Sequence, residues 1–149
     1  MSDLIFQVQG ESASATKFIA KARQFKLVID EPKSLGGTDE NANPVEYILA
    51  GLAGCLNVVS HLVANEMGFS IKRLQIGVSG NINPDKFIGN STEERAGFKS
   101  IDIKLIPEAD VSIGTLSEWL KIVQTRCPVK DNLTYKTPVK DSVEKQYVN

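Results

Sequence analysis

Residues 44–67 constrain the fold more than any other stretch, because their apolar positions recur with the period of an α-helix over six turns. Pro44 suits the first turn of such a helix and Gly68 its C-terminal stop. At 100° per residue Ile48, Leu52, Cys55, Val59 and Leu62 share one side, and Leu49, Leu56 and Val63 widen it. So broad an apolar face must be covered, which makes this helix the organising element of the chain. A second face is made of small residues, Ala50, Ala53, Gly54 and Asn57. A glycine inside a helix costs roughly 1 kcal/mol relative to alanine, so the small face predicts a close neighbour, such as a helix of a second subunit. Glu46, Asn57, Ser60 and His61 interrupt the apolar character and argue against a membrane span.

The rest of the chain alternates between strand patterns and turn signals. Three short segments, 3–9, 15–20 and 24–30, precede the helix; in the third, Phe25, Leu27 and Ile29 alternate with polar neighbours as in a half-buried strand. Residues 31–43 hold Pro32, Gly36, Gly37 and several Asp and Asn, a loop. Strand alternation returns in 71–82 (Leu74, Ile76, Val78) and 99–106 (Ile101, Ile103, Leu105), predicting a hairpin around the polar loop 83–98. A second helix is marked by Thr115 and Glu118 at capping-box spacing, with Leu116, Leu120, Val123 and Cys127 on its inner face. Pro128 disfavours helical geometry at Cys127, which places that thiol at a helix end or a junction. Residues 133–148 read as one or two closing strands. The expectation is a single α+β domain over residues 1–149, with antiparallel sheets in the order β-β-β-α-β-β-α-β.

Charge narrows the function classes. Seventeen Lys and Arg against eighteen Asp and Glu leave a formal charge of -1, so neither nucleic acid nor an anionic membrane is an expected partner. The first ten residues lack a basic stretch leading into an apolar run, so a cytoplasmic location is the default. The only two cysteines, Cys55 and Cys127, stand 72 positions apart, unlike the dense spacing of a secreted disulfide scaffold. A bond between them would bring about 4 kcal/mol by loop entropy, but a reducing cytosol keeps such thiols open.

Both sulfurs lie on helix faces directed inward, so they are able to meet; inert burial as small hydrophobes is the competing reading. A reactive thiol needs its thiolate stabilised, and mid-helix Cys55 lacks the help available at a helix N-terminus. A cation is required, and among Arg23, Arg73, Arg95 and Arg126 it is Arg23, beside the third strand, that best fits the role. For Cys127 a helix C-terminus raises the thiol pKa, whereas capping a new turn at Pro128 lowers it. His61, the only histidine, does not complete a metal site with the cysteines, because zinc sites show tighter paired spacings and a fourth ligand. Gly36 and Gly37 fit no phosphate-binding loop, and Trp119 reads as core or interface packing. Lys17, Lys21, Arg23 and Lys26 read as a solvated strand edge.

With Gly36-Gly37-Thr38-Asp39, then Asn43-Pro44-Val45-Glu46-Tyr47 running on to Gly54-Cys55, and later Cys127-Pro128-Val129, the chain resembles the OsmC/Ohr family over nearly its whole length. The resemblance implies sheets wrapped around two central helices, an intertwined homodimer and active sites at the subunit interface. It implies further that Cys55 attacks an organic hydroperoxide, that Cys127 resolves the resulting sulfenic acid as a disulfide, and that a dithiol such as a lipoylated protein reduces the pair, with no metal or organic cofactor. An arginine favours the thiolate and a glutamate orients it in the peroxide-reducing branches; here these roles fall to Arg23 and Glu46. The glutamate of those branches directly follows the proline, where this chain has Val45, and Glu46 lies about 100° further round the helix. The loop 31–43 holds no arginine, so the likeness is greatest to the less characterised OsmC-like branches. The alternative is a dimer of the same fold that binds a small apolar metabolite or acyl group without peroxide chemistry.

Overall fold

A tight turn decides where the N-terminal strands pair. Ser14 Oγ accepts the N–H groups of Thr16 and Lys17, and the Ala13 N–H donates to the Lys17 carbonyl at 2.8 Å. In the computed structural model, which describes residues 1–148, this turn joins β1 (Gln9–Ser12) to β2 (Phe18–Ala22) in antiparallel register, Gln9 opposite Lys21. β3 (Phe25–Ile29) follows across the two-residue turn Arg23-Gln24, with Ala22 opposite Phe25. The first strand thus begins where the pattern at 3–9 predicts it to end: Leu4, Ile5, Phe6 and Val8 are exposed, since the turn commits β2 to the residues after them.

Two compact units share the chain, residues 1–53 with 77–104 and residues 54–76 with 105–149. The first contains the three-stranded sheet and a loop organised by one carboxylate. Asp30 is completely enclosed. Its two oxygens accept from the Thr16 and Thr38 hydroxyls and from the backbone N–H groups of Glu31, Thr38 and Glu40. A short 3-10 turn (Lys33–Leu35) closes at Gly36, whose φ of 85° is left-handed, and a Cβ on Gly37 would lie 1.8 Å from the Glu31 carbonyl oxygen. The glycine pair therefore lets the loop fold back on itself, as its turn chemistry predicts.

α1 (Pro44–Glu66) starts at the proline, as expected. Asn43 Oδ1 accepts the Glu46 N–H at 2.9 Å while Glu46 Oε2 accepts the Asn43 N–H at 2.8 Å, a reciprocal cap. Tyr47 Oη donates to the Val28 carbonyl at 2.7 Å and ties the first turn to β3. Leu52, Leu56, Val59 and Val63 form the buried stripe, while Ile48 and Leu62, predicted to lie on the same inward face, are about half exposed. Among the described residues nothing comes within 4 Å of a Cβ placed on Gly51 or Gly54, so the small-residue face has no close neighbour in this chain. By length and composition alone α1 would qualify as a membrane span, a test that the core helix of a protein passes as well. Its buried stripe instead gives it the place of a core helix.

β4 (Arg73–Asn81) and β5 (Ser100–Glu108) pair as the predicted hairpin, with the Lys72 N–H on the Glu108 carbonyl at one end and the Lys99 N–H on the Asn81 carbonyl at the other. α2 (Ile113–Arg126) starts three residues earlier than Thr115 would have it, because Ser112 Oγ accepts the Thr115 N–H at 3.1 Å and is the cap. Its inner face consequently carries Trp119, 2% exposed, in place of Leu120. Trp119 Nε1 donates to the Ser60 carbonyl of α1 at 2.9 Å. The closing strand expected in 133–148 does not form among the described residues. Pro128 instead starts a third helix, α3 (Pro128–Thr134), so the order is β-β-β-α-β-β-α-α. Pro128 at its first position and Asp131 in its first turn favour a helix start, and the residues beyond find no strand partner within the chain.

Two outcomes follow for stability. Trp119→Ala removes the largest buried side chain and should cost about 3–5 kcal/mol, read as a lower urea midpoint; Trp119→Phe should recover most of the packing but not the bond to Ser60. The Thr38 hydroxyl, aided by three backbone N–H groups, holds the Asp30 carboxyl far below the usual carboxylate range against the opposing effect of burial. A lowered native pKa means stability that is complete above the unfolded value of about 3.9 and is lost as pH falls towards the native one. Asp30→Asn should therefore lower the thermal midpoint at neutral pH by an amount constant above about pH 5, and the gap to wild type should narrow below about pH 4.

Candidate redox site at Cys55 and Cys127

Pro128 forbids helical geometry at the residue before it, and Cys127 accordingly takes φ -82° and ψ 109°. It is at once the C-cap of α2 and the N-cap of α3, the junction its sequence predicts. Its Sγ accepts the Lys130 N–H at 3.4 Å. Cys127 is 1% exposed, buried with Val123 and Trp119 on the inner side of α2. Cys55, at the middle of α1, is only partly covered. The two sulfurs lie 2.8 Å apart and share a hydrogen bond, within about 0.8 Å of the length of a disulfide bond.

Burial pushes the Cys55 thiol above its ordinary pKa, and the hydrogen bond shared with Cys127 acts in the same direction. The backbone N–H of Val129, in the first turn of α3, works the other way by favouring the thiolate. No arginine contributes to this balance. Arg126, next to Cys127 in sequence, has its guanidinium forked onto the Glu66 carboxylate at 2.5 and 3.1 Å.

The sequence therefore finds both thiols and their meeting. Its two assisting residues belong to the first unit and are engaged there. Glu46 holds the cap of α1 through Asn43. Arg23 occupies the β2–β3 turn with a left-handed φ of 56°, stacks over the Phe25 ring at 5.0 Å, and lines an open cleft with Ile5, Phe6, Val8 and Ala22. His61 is exposed on α1, and no three His, Cys, Asp or Glu side chains converge as metal ligands among the described residues. Two features escaped the sequence reading, the Asp30 cage and the Glu66–Arg126 pair, because each joins residues far apart in the chain and leaves no periodic signal.

A pair of thiols in contact, one partly accessible and one buried, has the proximity that thiol–disulfide chemistry needs. Comparison with known proteins places the chain in a family. The profile of the OsmC family, described as OsmC-like protein, matches residues 37–141. No protein of curated function matches the sequence. Among solved structures, an OsmC-like protein from Mycoplasma pneumoniae is 23% identical with a TM-score of 0.77, covering 89% of both chains. An organic hydroperoxide resistance protein from Elizabethkingia anophelis is 18% identical with a TM-score of 0.66, covering 88% of this chain and 89% of its own. A Legionella pneumophila protein named organic hydroperoxide resistance protein OsmC is 17% identical with a TM-score of 0.65, covering 89% and 91%. Identities this low carry the fold alone, but the profile spans more than half of the sequence, and the chain belongs to the OsmC-like family.

Proposed function

We propose that this protein reduces organic hydroperoxides with Cys55 as nucleophile and Cys127 as resolving thiol. The observation that carries the reading is the 2.8 Å sulfur contact between a partly accessible Cys55 and a buried Cys127. The Cys55 thiolate attacks the outer peroxide oxygen, the O–O bond breaks, and an alcohol leaves as Cys55 becomes a sulfenic acid. Cys127 then attacks that sulfur; water leaves and the disulfide forms, the two thiols having given up the two electrons that reduce the peroxide. An external dithiol, such as a lipoylated protein, returns the pair to two thiols by exchange.

A homodimer belongs to the same proposal. Ile48, Val58 and Leu62 on α1 are 41–58% exposed beside the open small-residue face, a surface that a second copy of α1 would cover. Arg23 and Glu46 stay in the proposal as assistants, Arg23 supplying a cation to the thiolate and Glu46 orienting it. A second reading, an apolar-ligand binder without peroxide chemistry, is favoured by one fact: burial raises the Cys55 thiol where a nucleophile needs it lowered.

The two readings separate in one set of measurements. Reduced protein treated with cumene hydroperoxide should lose two thiols per chain and turn over with a dithiol. Cys55→Ser should fall to background, and Cys127→Ser should accumulate a trappable sulfenic acid. Thiols that survive excess peroxide, together with an apolar molecule retained in native mass spectra, would establish the binder instead. The raised thiol also predicts that alkylation of Cys55 climbs steadily with pH through and beyond the ordinary cysteine range near 8.5. A plateau below about pH 7 that Arg23→Met removes would identify Arg23 as the activating cation.

A further inference from the structure

Cys55 and Glu66 are eleven residues apart on α1. Three helical turns bring the chain back to within about 20° of the same direction, so one face of a single rigid rod presents a thiol and, about 16 Å along, a carboxylate. The next element to meet that face answers with consecutive residues. Arg126 forks onto Glu66, with Nη1 on Oε2 at 2.5 Å and Nη2 on Oε1 at 3.1 Å, and Cys127 sets its sulfur against Cys55. Each charge steadies the other, the Glu66 carboxyl being held below and the Arg126 guanidinium above its ordinary pKa by their mutual hydrogen bond.

We propose that Glu66 and Arg126 are positioning residues for the Cys55–Cys127 disulfide: their forked ion pair pins the end of α2 to the end of α1 and so holds the Cys127 sulfur over Cys55. Helical hydrogen bonding cannot supply this restraint, because Cys127 has left helical geometry. Trp119 anchors α2 by its middle, seven residues before Arg126. The ion pair restrains the end where the sulfur is. A lone exposed ion pair contributes little, but a bidentate arginine–carboxylate fork is the geometry in which such pairs hold best. The inference rests on reading Cys55 and Cys127 as a redox pair and not on the hydroperoxide as oxidant.

Equilibration with glutathione redox buffers tests it. Cys55 displaces one glutathione from glutathione disulfide, and Cys127 then displaces the second; two thiols give up two electrons and two protons, and two molecules of glutathione appear. In Glu66→Gln and in Arg126→Met the constant for closing the disulfide should fall about two- to fivefold. The exchanged pair Glu66→Arg with Arg126→Glu should recover most of that loss, and salt at about 0.5 M should lower the wild-type constant towards those of the single variants. Thermal midpoints and Trp119 fluorescence confirm folding of each variant. Wild-type constants in both single variants overturn the proposal, as does a loss that the exchange fails to recover, since general loosening would then explain it. If the wild type closes its disulfide in glutathione yet ignores hydroperoxide, the peroxidase reading falls and the clamp stands. If it does not close the disulfide at all, both fall.

Discussion

Pro128 has no amide hydrogen, and its ring excludes helical geometry from the residue before it. The meeting of the two thiols depends on that restriction. Were the position an ordinary residue, α2 could run on, and Cys127 would be one more member of its buried stripe with Trp119 and Val123. The break at Cys127 instead turns the backbone to ψ 109° and starts α3, whose first turn brings its N–H groups towards sulfur. The Lys130 N–H reaches Cys127, and that of Val129 favours the thiolate of Cys55. The proline break therefore sets the backbone from which Cys127 meets these polar groups.

That placement divides the two sulfurs by access. Cys127 is sealed among α2 side chains, whereas Cys55 is open enough for a reagent to reach. The burial around the pair also disfavours a charge on Cys55. Proximity is thus provided by the fold, while burial opposes the ionisation of Cys55. A thiol pair of this kind resolves readily once one member is oxidised and is slow to be oxidised first, unless a cation comes from elsewhere in the assembly. The exposed apolar positions of α1 include Val58, three residues beyond Cys55.

Elements whose cause is local were legible in the sequence. The periodicity from Ile48 to Val63, the alternation in β4 and β5 and the Cys-Pro junction each state their geometry within a few residues, and the approach of Cys55 to Cys127 followed from two inward-facing helix positions. What was not legible depends on choices between local signals or on distant contacts. The cap of α2 is Ser112 because its hydroxyl reaches the Thr115 N–H, although Thr115 and Glu118 show the spacing of a box themselves. The strand pattern in residues 3–9 is genuine, but the Ser14 turn gives β2 to residues 9–12. Asp30 reads as an ordinary loop aspartate until Thr16, Thr38 and Glu40 converge on it from both sides. Glu66 and Arg126 look like surface charges until α1 and α2 are brought together, 60 residues having separated them.

Shared fold does not settle shared chemistry, and relatives at 17–23% identity with the same architecture leave room for either outcome. Three charged groups of this chain have partners within it. Glu46 caps α1, Arg23 stacks on Phe25, and Arg126 grips Glu66. Under the proposed function, thiols already in contact favour the second step of the cysteine cycle, disulfide closure. On the same proposal the ionisation of Cys55 is the demanding first step, because burial raises its thiol pKa and a neutral thiol is a far weaker nucleophile than its thiolate.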